Sequence, residues 1–133
     1  MLAWLRGLLA GAGSGAGELE MMTELDSEAD WAACLARSES EPVFVFKHST
    51  RCPISSGARA EVVRYIEQAV DGGAPVYINY VVESRPVSNL IAESLGVRHE
   101  SPQIFLVKGG KAYWHASHGG VRATEMAAAV ERV

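Results

Sequence analysis

The strongest constraint on this chain is a short apolar run, Pro42-Val-Phe-Val-Phe46, that leads within six residues into Cys52-Pro53 and then into a helical repeat of Ile54, Ala58, Val62, Ile66 and Val70. A run of that length, apolar at every position and bounded by polar residues, predicts a strand buried on both faces. Arg59, Glu61, Arg64, Glu67 and Gln68 occupy the other sides of the following helix, and Asp71-Gly-Gly73 ends it. A second apolar run, Val76 to Val82, comes next. Two buried strands joined by a helix must lie parallel, connected by a right-handed crossover. This strand–helix–strand unit fixes the chain's architecture and puts one cysteine at a strand-to-helix junction.

The remaining segments fit around that unit. Ser27 with Asp30 three residues on marks a helix start, and Trp31, Cys34 and Leu35 share its apolar face. After the second strand, Pro86 suits a first helical turn, Leu90, Ile91 and Leu95 form a stripe, and Gly96 ends it. Gln103–Lys108, the pair Gly109-Gly110 and Lys111–His115 read as a hairpin. A last helix runs from Thr124 to Val133, with Met126, Ala129 and Val130 inward. The order predicts an α/β protein with a central mixed four-stranded sheet flanked by helices, the layout of the thioredoxin fold. At 133 residues the chain holds one domain.

Residues 1–22 stand apart. Met1–Gly13 is apolar, with Leu2, Leu5, Leu8 and Leu9 at helical spacing, and Gly11–Gly17 reads as a Gly/Ala-rich linker. Its one charge, Arg6, sits inside the apolar run rather than before it, and the run is too short to span a bilayer. The expected division is therefore a flexible leading segment, 1–22, and a thioredoxin-like domain, 23–133, without stable membrane insertion. A formal net charge of -4 argues against a nucleic-acid binder acting through a broad basic surface. Two cysteines are too few for a disulfide framework or a four-thiolate zinc site, and no metal is expected. The expected compartment is the cytoplasm.

Cys52 is the residue with chemistry. As the residue that opens a helix, it faces unpaired backbone N–H groups and the positive end of the helix dipole, a setting that favours the thiolate. Lys47, His48 and Arg51 lie within five residues and are expected to add positive charge. Pro53 takes the first turn, where its missing N–H costs nothing. Cys34, on an apolar stripe, reads as a packed core residue. Ser55 stands where a dithiol oxidoreductase carries its second cysteine; a hydroxyl can donate to a thiolate but cannot resolve a mixed disulfide, so the chemistry is expected to be monothiol. A phosphatase-type loop needs an arginine six positions after the cysteine, and that position is Ala58. His115 and His118 lack an evident third ligand for a metal. Ser101-Pro102 precedes the hairpin, where a cis proline lets the loop turn back beside the cysteine.

Four segments carry a family resemblance: Phe46-Lys-His-Ser-Thr-Arg-Cys-Pro-Ile-Ser-Ser56, Val87-Ser-Asn-Leu-Ile-Ala92, Val97-Arg-His-Glu-Ser-Pro-Gln103 and Trp114-His-Ala-Ser-His118. Together they resemble the monothiol bacilliredoxins, thioredoxin-like proteins of bacteria that use bacillithiol in place of glutathione. The likeness runs from about Thr23 to the C-terminus. It implies an oxidoreductase that removes bacillithiol from protein mixed disulfides, with Cys52 as attacking thiol and a cis Pro102 facing it. Bacillithiol is then the co-substrate, bacillithiolated client proteins are the partners, and no cofactor is tightly bound. Lys47, Arg51 and Arg98 are candidate partners for the carboxylates of its malate group; Pro53, Ser55, Ser101 and Pro102 complete the expected substrate site. Gly119-Gly120 departs from the bulkier residues common in relatives. Two other classes stay open on the residues alone: a monothiol glutaredoxin-like iron–sulfur carrier using Cys52 and an external thiol, and a non-catalytic thioredoxin-fold interaction module.

Overall fold

The computed structural model describes residues 21–69 and 73–133. The leading apolar helix and glycine linker, Val70 of the long helix and the Asp71-Gly72 stop lie outside the described residues. In chain order the elements are β1 (Met22–Glu24), α1 (Glu28–Ser38), β2 (Val43–His48), α2 (Pro53–Gln68), β3 (Val76–Tyr80), α3 (Arg85–Leu95), β4 (Gln103–Lys108), β5 (Lys111–Ser117), a 3-10 turn (His118–Gly120) and α4 (Ala123–Glu131). Among these, no helix is long and apolar enough to cross a membrane.

The sheet has five strands in the order β1-β3-β2-β4-β5, which corrects the four-stranded expectation. β1 and β2 both lie parallel to β3, while β4 runs antiparallel to β2 and to β5. The missed strand, Met22-Thr23-Glu24, is too short to show alternation, and only Met22 is buried. It exists because β3 offers a free edge, pairing Met22 with Val76 and Glu24 with Ile78.

Alternation along β2 divides the core into two layers. Phe44 and Phe46 point to one face and pack with Ala58, Val62 and Tyr65 of α2 and Met126 and Ala129 of α4. Val43 and Val45 point to the other and pack with Trp31 and Cys34 of α1 and Val87 and Ile91 of α3. Helix signals mostly hold. Ser27 and Asp30 form the capping box, with Asp30 N–H donating to Ser27 Oγ at 3.0 Å. Gly96 closes α3 at φ 66°, and Gly109 and Gly110 make the hairpin turn at φ 59° and 75°. The stripe of α2 needs correction: Ile54 is 56% exposed, and the buried face is Ser55, Ala58, Val62 and Tyr65. A strict four-residue repeat advances about 40° per step on a helix of 3.6 residues per turn, so Ile54 has swung out to solvent by the time Val62 faces the core.

Candidate active site

Cys52 is the N-cap of α2, with extended backbone (φ -110°, ψ 120°), and Pro53 fills the first helical position. The Cys52 carbonyl accepts from the N–H of Ser55 at 3.0 Å and of Ser56 at 3.2 Å, which closes the first turn. Its thiol is half-buried and free. Ser49 shapes the approach: its carbonyl accepts from Cys52 N–H at 3.3 Å and its Oγ from Arg51 N–H at 3.3 Å. Arg51 and Pro53 are exposed on either side of the sulfur-bearing residue, as is Ile54.

Ser55 does not serve the thiol in the way its position suggests. It is fully buried, accepts from Ser49 N–H at 3.0 Å, and lies 2.7 Å from Nδ1 of His48. The hydroxyl thereby joins the Ser49 amide to the His48 imidazole. The serine is thus a latch between the end of β2 and the first turn of α2. His48 stacks on Phe46 with ring centres 5.4 Å apart and meets Tyr80 edge-on at 5.9 Å. Burial, with Arg59 adding to it, pushes the His48 pKa below the usual histidine value.

Two expectations about charge therefore fail. His48 is buried and neutral at pH 7, and Lys47 lies in β2 rather than in a solvated loop, with no exposed surface at all. Both residues continue the strand, because their backbones pair with Tyr80 and Asn79 of β3. Of the positive groups expected beside Cys52, the N-terminus of α2 and the exposed chain neighbour Arg51 remain. Lys47 points to the α1/α3 face, so of the candidate carboxylate partners only Arg51 and Arg98 are exposed.

The Ser101–Pro102 peptide is cis, and Pro102 is buried at the mouth of β4. β4 pairs Gln103 with Lys47, so the step before it brings Pro102 level with His48, at the sheet end where β2 delivers the chain to Cys52. The Pro102 carbonyl accepts from His118 N–H at 3.0 Å, and Ser101 Oγ is buried without a partner among the described residues. Gln103, buried, holds the preceding loop from below: its Oε1 accepts from Glu100 N–H at 3.0 Å and its Nε2 donates to Arg98 O at 3.1 Å. Sequence reasoning missed Gln103 and His99. A polar residue one step into a strand, or inside an Arg-His-Glu loop, looks like ordinary surface until the register shows what lies beneath it.

Cys34 sits on the opposite side of the sheet from α2, buried beside Trp31 and Val43, and desolvation pushes its thiol pKa up to about 12. His115 contacts Phe105, and His118 lies 3.8 Å from Glu100.

The family profile of the monothiol bacilliredoxins (BrxC) matches residues 23–126. Among solved structures, one described as a candidate oxidoreductase with a thioredoxin fold superposes with a TM-score of 0.73 at 30% identity, covering 82% of this chain and 93% of that one. Fasciola hepatica thioredoxin gives 0.65 at 14% identity, covering 84% and 98%. Spinach chloroplast thioredoxin F gives 0.62 at 16% identity, covering 84% and 92%.

Proposed function

Because this chain belongs to the monothiol bacilliredoxin family, with a thiol oxidoreductase role on a thioredoxin-like fold, we propose that it removes bacillithiol from protein mixed disulfides through Cys52, in the cytoplasm. The observation that carries this reading is the asymmetry of the two positions in the first turn of α2. Cys52 is half-buried at the N-cap, while Ser55 is fully buried with its hydroxyl committed to His48 and Ser49. No second thiol stands at Ser55, and Cys34 lies across the sheet.

The cycle has two exchanges. Cys52 thiolate attacks the bacillithiol sulfur of the mixed disulfide; a Cys52–bacillithiol disulfide forms and the client leaves as a thiolate. A second bacillithiol thiolate then attacks that sulfur of the adduct, leaving as the symmetric disulfide and returning Cys52 to its thiolate. Arg51, exposed and adjacent to Cys52 in the chain, is the cation assigned to a malate carboxylate. Pro53, Ser101 and Pro102 supply the walls against which the disulfide is laid.

The test is exchange on a bacillithiolated peptide, read by mass spectrometry. Wild type and Cys34→Ser release the peptide and carry one bacillithiol on Cys52 when free bacillithiol is withheld; Cys52→Ser does neither. An adduct on Cys34, or loss of turnover in Cys34→Ser alone, overturns the monothiol assignment. Faster turnover of a glutathionylated peptide overturns the choice of thiol.

A further inference from the structure

Three polar side chains cross the sheet in one register row: Asn79 of β3, Lys47 of β2 and Gln103 of β4. All three are buried, Lys47 and Asn79 completely. A fully buried ammonium is costly, and replacing such a charge with an apolar side chain is often neutral or stabilising. Among the described residues, Lys47 has no carboxylate partner. Its Nζ donates to Nδ1 of His99 at 3.0 Å and sits 5.7 Å from the centre of the Phe105 ring. Stability does not account for a lysine in this place; its partner does.

His99 lies on the loop between α3 and β4, three residues before Pro102. Ser88 Oγ of α3 is 3.3 Å from the same Nδ1. The loop is thus tied to the sheet by two adjacent residues of the register: Lys47 holds it at His99, and Gln103 holds it at Arg98 and Glu100. The loop delivers Ser101 and Pro102 to the sheet end that carries Cys52.

We propose that Lys47 and His99 form a positioning pair for thiol exchange, holding the 98–102 loop in the geometry that binds the mixed disulfide at Cys52. This rests on the exchange function proposed above. The pair works with Lys47 as donor and a neutral His99 as acceptor. The groups facing His99 are Lys47 from β2, Arg85 and Ser88 from α3, and Glu100 on its own loop; those facing Lys47 include Arg85 and the Phe105 ring of β4. Burial, then Lys47 and Arg85, hold the His99 pKa below its ordinary value, so the bond is intact at neutral pH. Protonation of His99 in acid sets two cations together beside Arg85 and breaks it.

The experiment measures kcat/KM on bacillithiolated and glutathionylated peptides from acid to neutral pH, with iodoacetamide alkylation of Cys52 and urea midpoints on the same samples. Lys47→Met and His99→Leu lower kcat/KM by about tenfold, mostly through KM, while alkylation of Cys52 stays within about twofold; the midpoint does not fall in Lys47→Met and falls in His99→Leu, which leaves the buried ammonium without its acceptor. His99→Asn keeps an acceptor at nearly the same place but cannot titrate; it restores most of the activity and flattens the part of the acid decline that alkylation of Cys52 does not share. Wild-type kcat/KM in Lys47→Met overturns the inference, as does a loss in Lys47→Met accompanied by a lower midpoint and altered alkylation, or a decline of kcat/KM relative to Cys52 alkylation in acid that is unchanged in His99→Asn. A wild type that turns over only the glutathionylated peptide changes the thiol and leaves the pair to be judged on that substrate. A wild type that turns over neither overturns the function and the inference with it.

Discussion

Lys47 and His48 are consecutive residues of β2 whose side chains leave opposite faces of the sheet and hold different loops. Lys47 Nζ reaches His99 Nδ1 at 3.0 Å on the α1/α3 face, and His48 Nδ1 meets Ser55 Oγ at 2.7 Å on the α2/α4 face. One dipeptide at a strand end thereby fixes both the loop that carries Cys52 and the loop that carries Pro102, because alternation sends neighbours to opposite sides.

The buried charge of Lys47 gives a stability effect of defined sign. Desolvation, with Arg85 adding to it, lowers its pKa from 10.5 to about 8. Between those values the unfolded chain binds a proton that the folded protein has released, so stability rises with pH across that window, and the cost is fully present below it. Cys34 works in the other direction: its pKa rises from 9.0 to about 12, so its contribution is full below 9.0 and lost at higher pH. The difference between wild type and Lys47→Met isolates the lysine. Lys47→Met is more stable than wild type at neutral pH in urea, and the advantage shrinks as pH approaches 10.5. An advantage independent of pH contradicts the buried cation.

Loss of the Ser55 hydroxyl leaves Ser49 N–H and His48 Nδ1 without their partner in a buried place. Ser55→Ala is expected to destabilise the protein by about 1–3 kcal/mol in chemical denaturation. A change within error contradicts the latch.

Ser55→Cys replaces that hydroxyl with a thiol at the third helical position, one turn from the N-cap Cys52. Mild oxidation is expected to join Cys52 to the introduced thiol and to remove two titratable thiols per chain without dimer formation. Persistence of both thiols after oxidation contradicts the local geometry of the first turn.

Cys34 is expected to resist alkylation in the folded protein. Fully buried, with its thiol pKa pushed up to about 12, it has almost no thiolate at neutral pH. Iodoacetamide adds one group per native chain and two in denaturant; a second native adduct contradicts the burial.

Two glycines separate conformational need from convenience. Gly73 has φ +61°, and a Cβ there would lie 2.6 Å from Ala69 Cβ and from Tyr65 Oη, the oxygen that accepts from Ala74 N–H. Gly73→Ala is expected to cost at least about 2 kcal/mol. Gly57, exposed within α2 with open space around its Cα, is the reverse: Gly57→Ala is expected to stabilise by about 0.5–1 kcal/mol. Thermal or urea unfolding of the two variants checks both signs.

Local pattern was enough for the elements that carry their own signal. The apolar strands β2 and β3, the capping box at Ser27, the glycine stop at Gly96 and the Gly109-Gly110 hairpin each rest on residues close together in the chain, and the junction at Cys52-Pro53 follows from them. So did the contrast between a thiol in a polar loop and one on an apolar stripe. β1 was illegible because three residues of mixed polarity form a strand only when a neighbouring edge supplies the hydrogen bonds.

What the amino-acid order determined by itself was the strand–helix–strand unit, the cysteine at its junction and the missing second thiol at Ser55. What only the tertiary structure decided was the state of the charged and polar groups around that cysteine. A run of Lys, His, Ser and Arg reads as a solvated basic loop, yet Lys47 and His48 are drawn into the core by the backbone ladder of β2, and burial rather than composition lowers both of their pKa values. Their partners, His99 and Ser55, lie 52 and 7 residues away. Desolvation depends on what covers a side chain, and that cover comes from elements the local sequence does not contain.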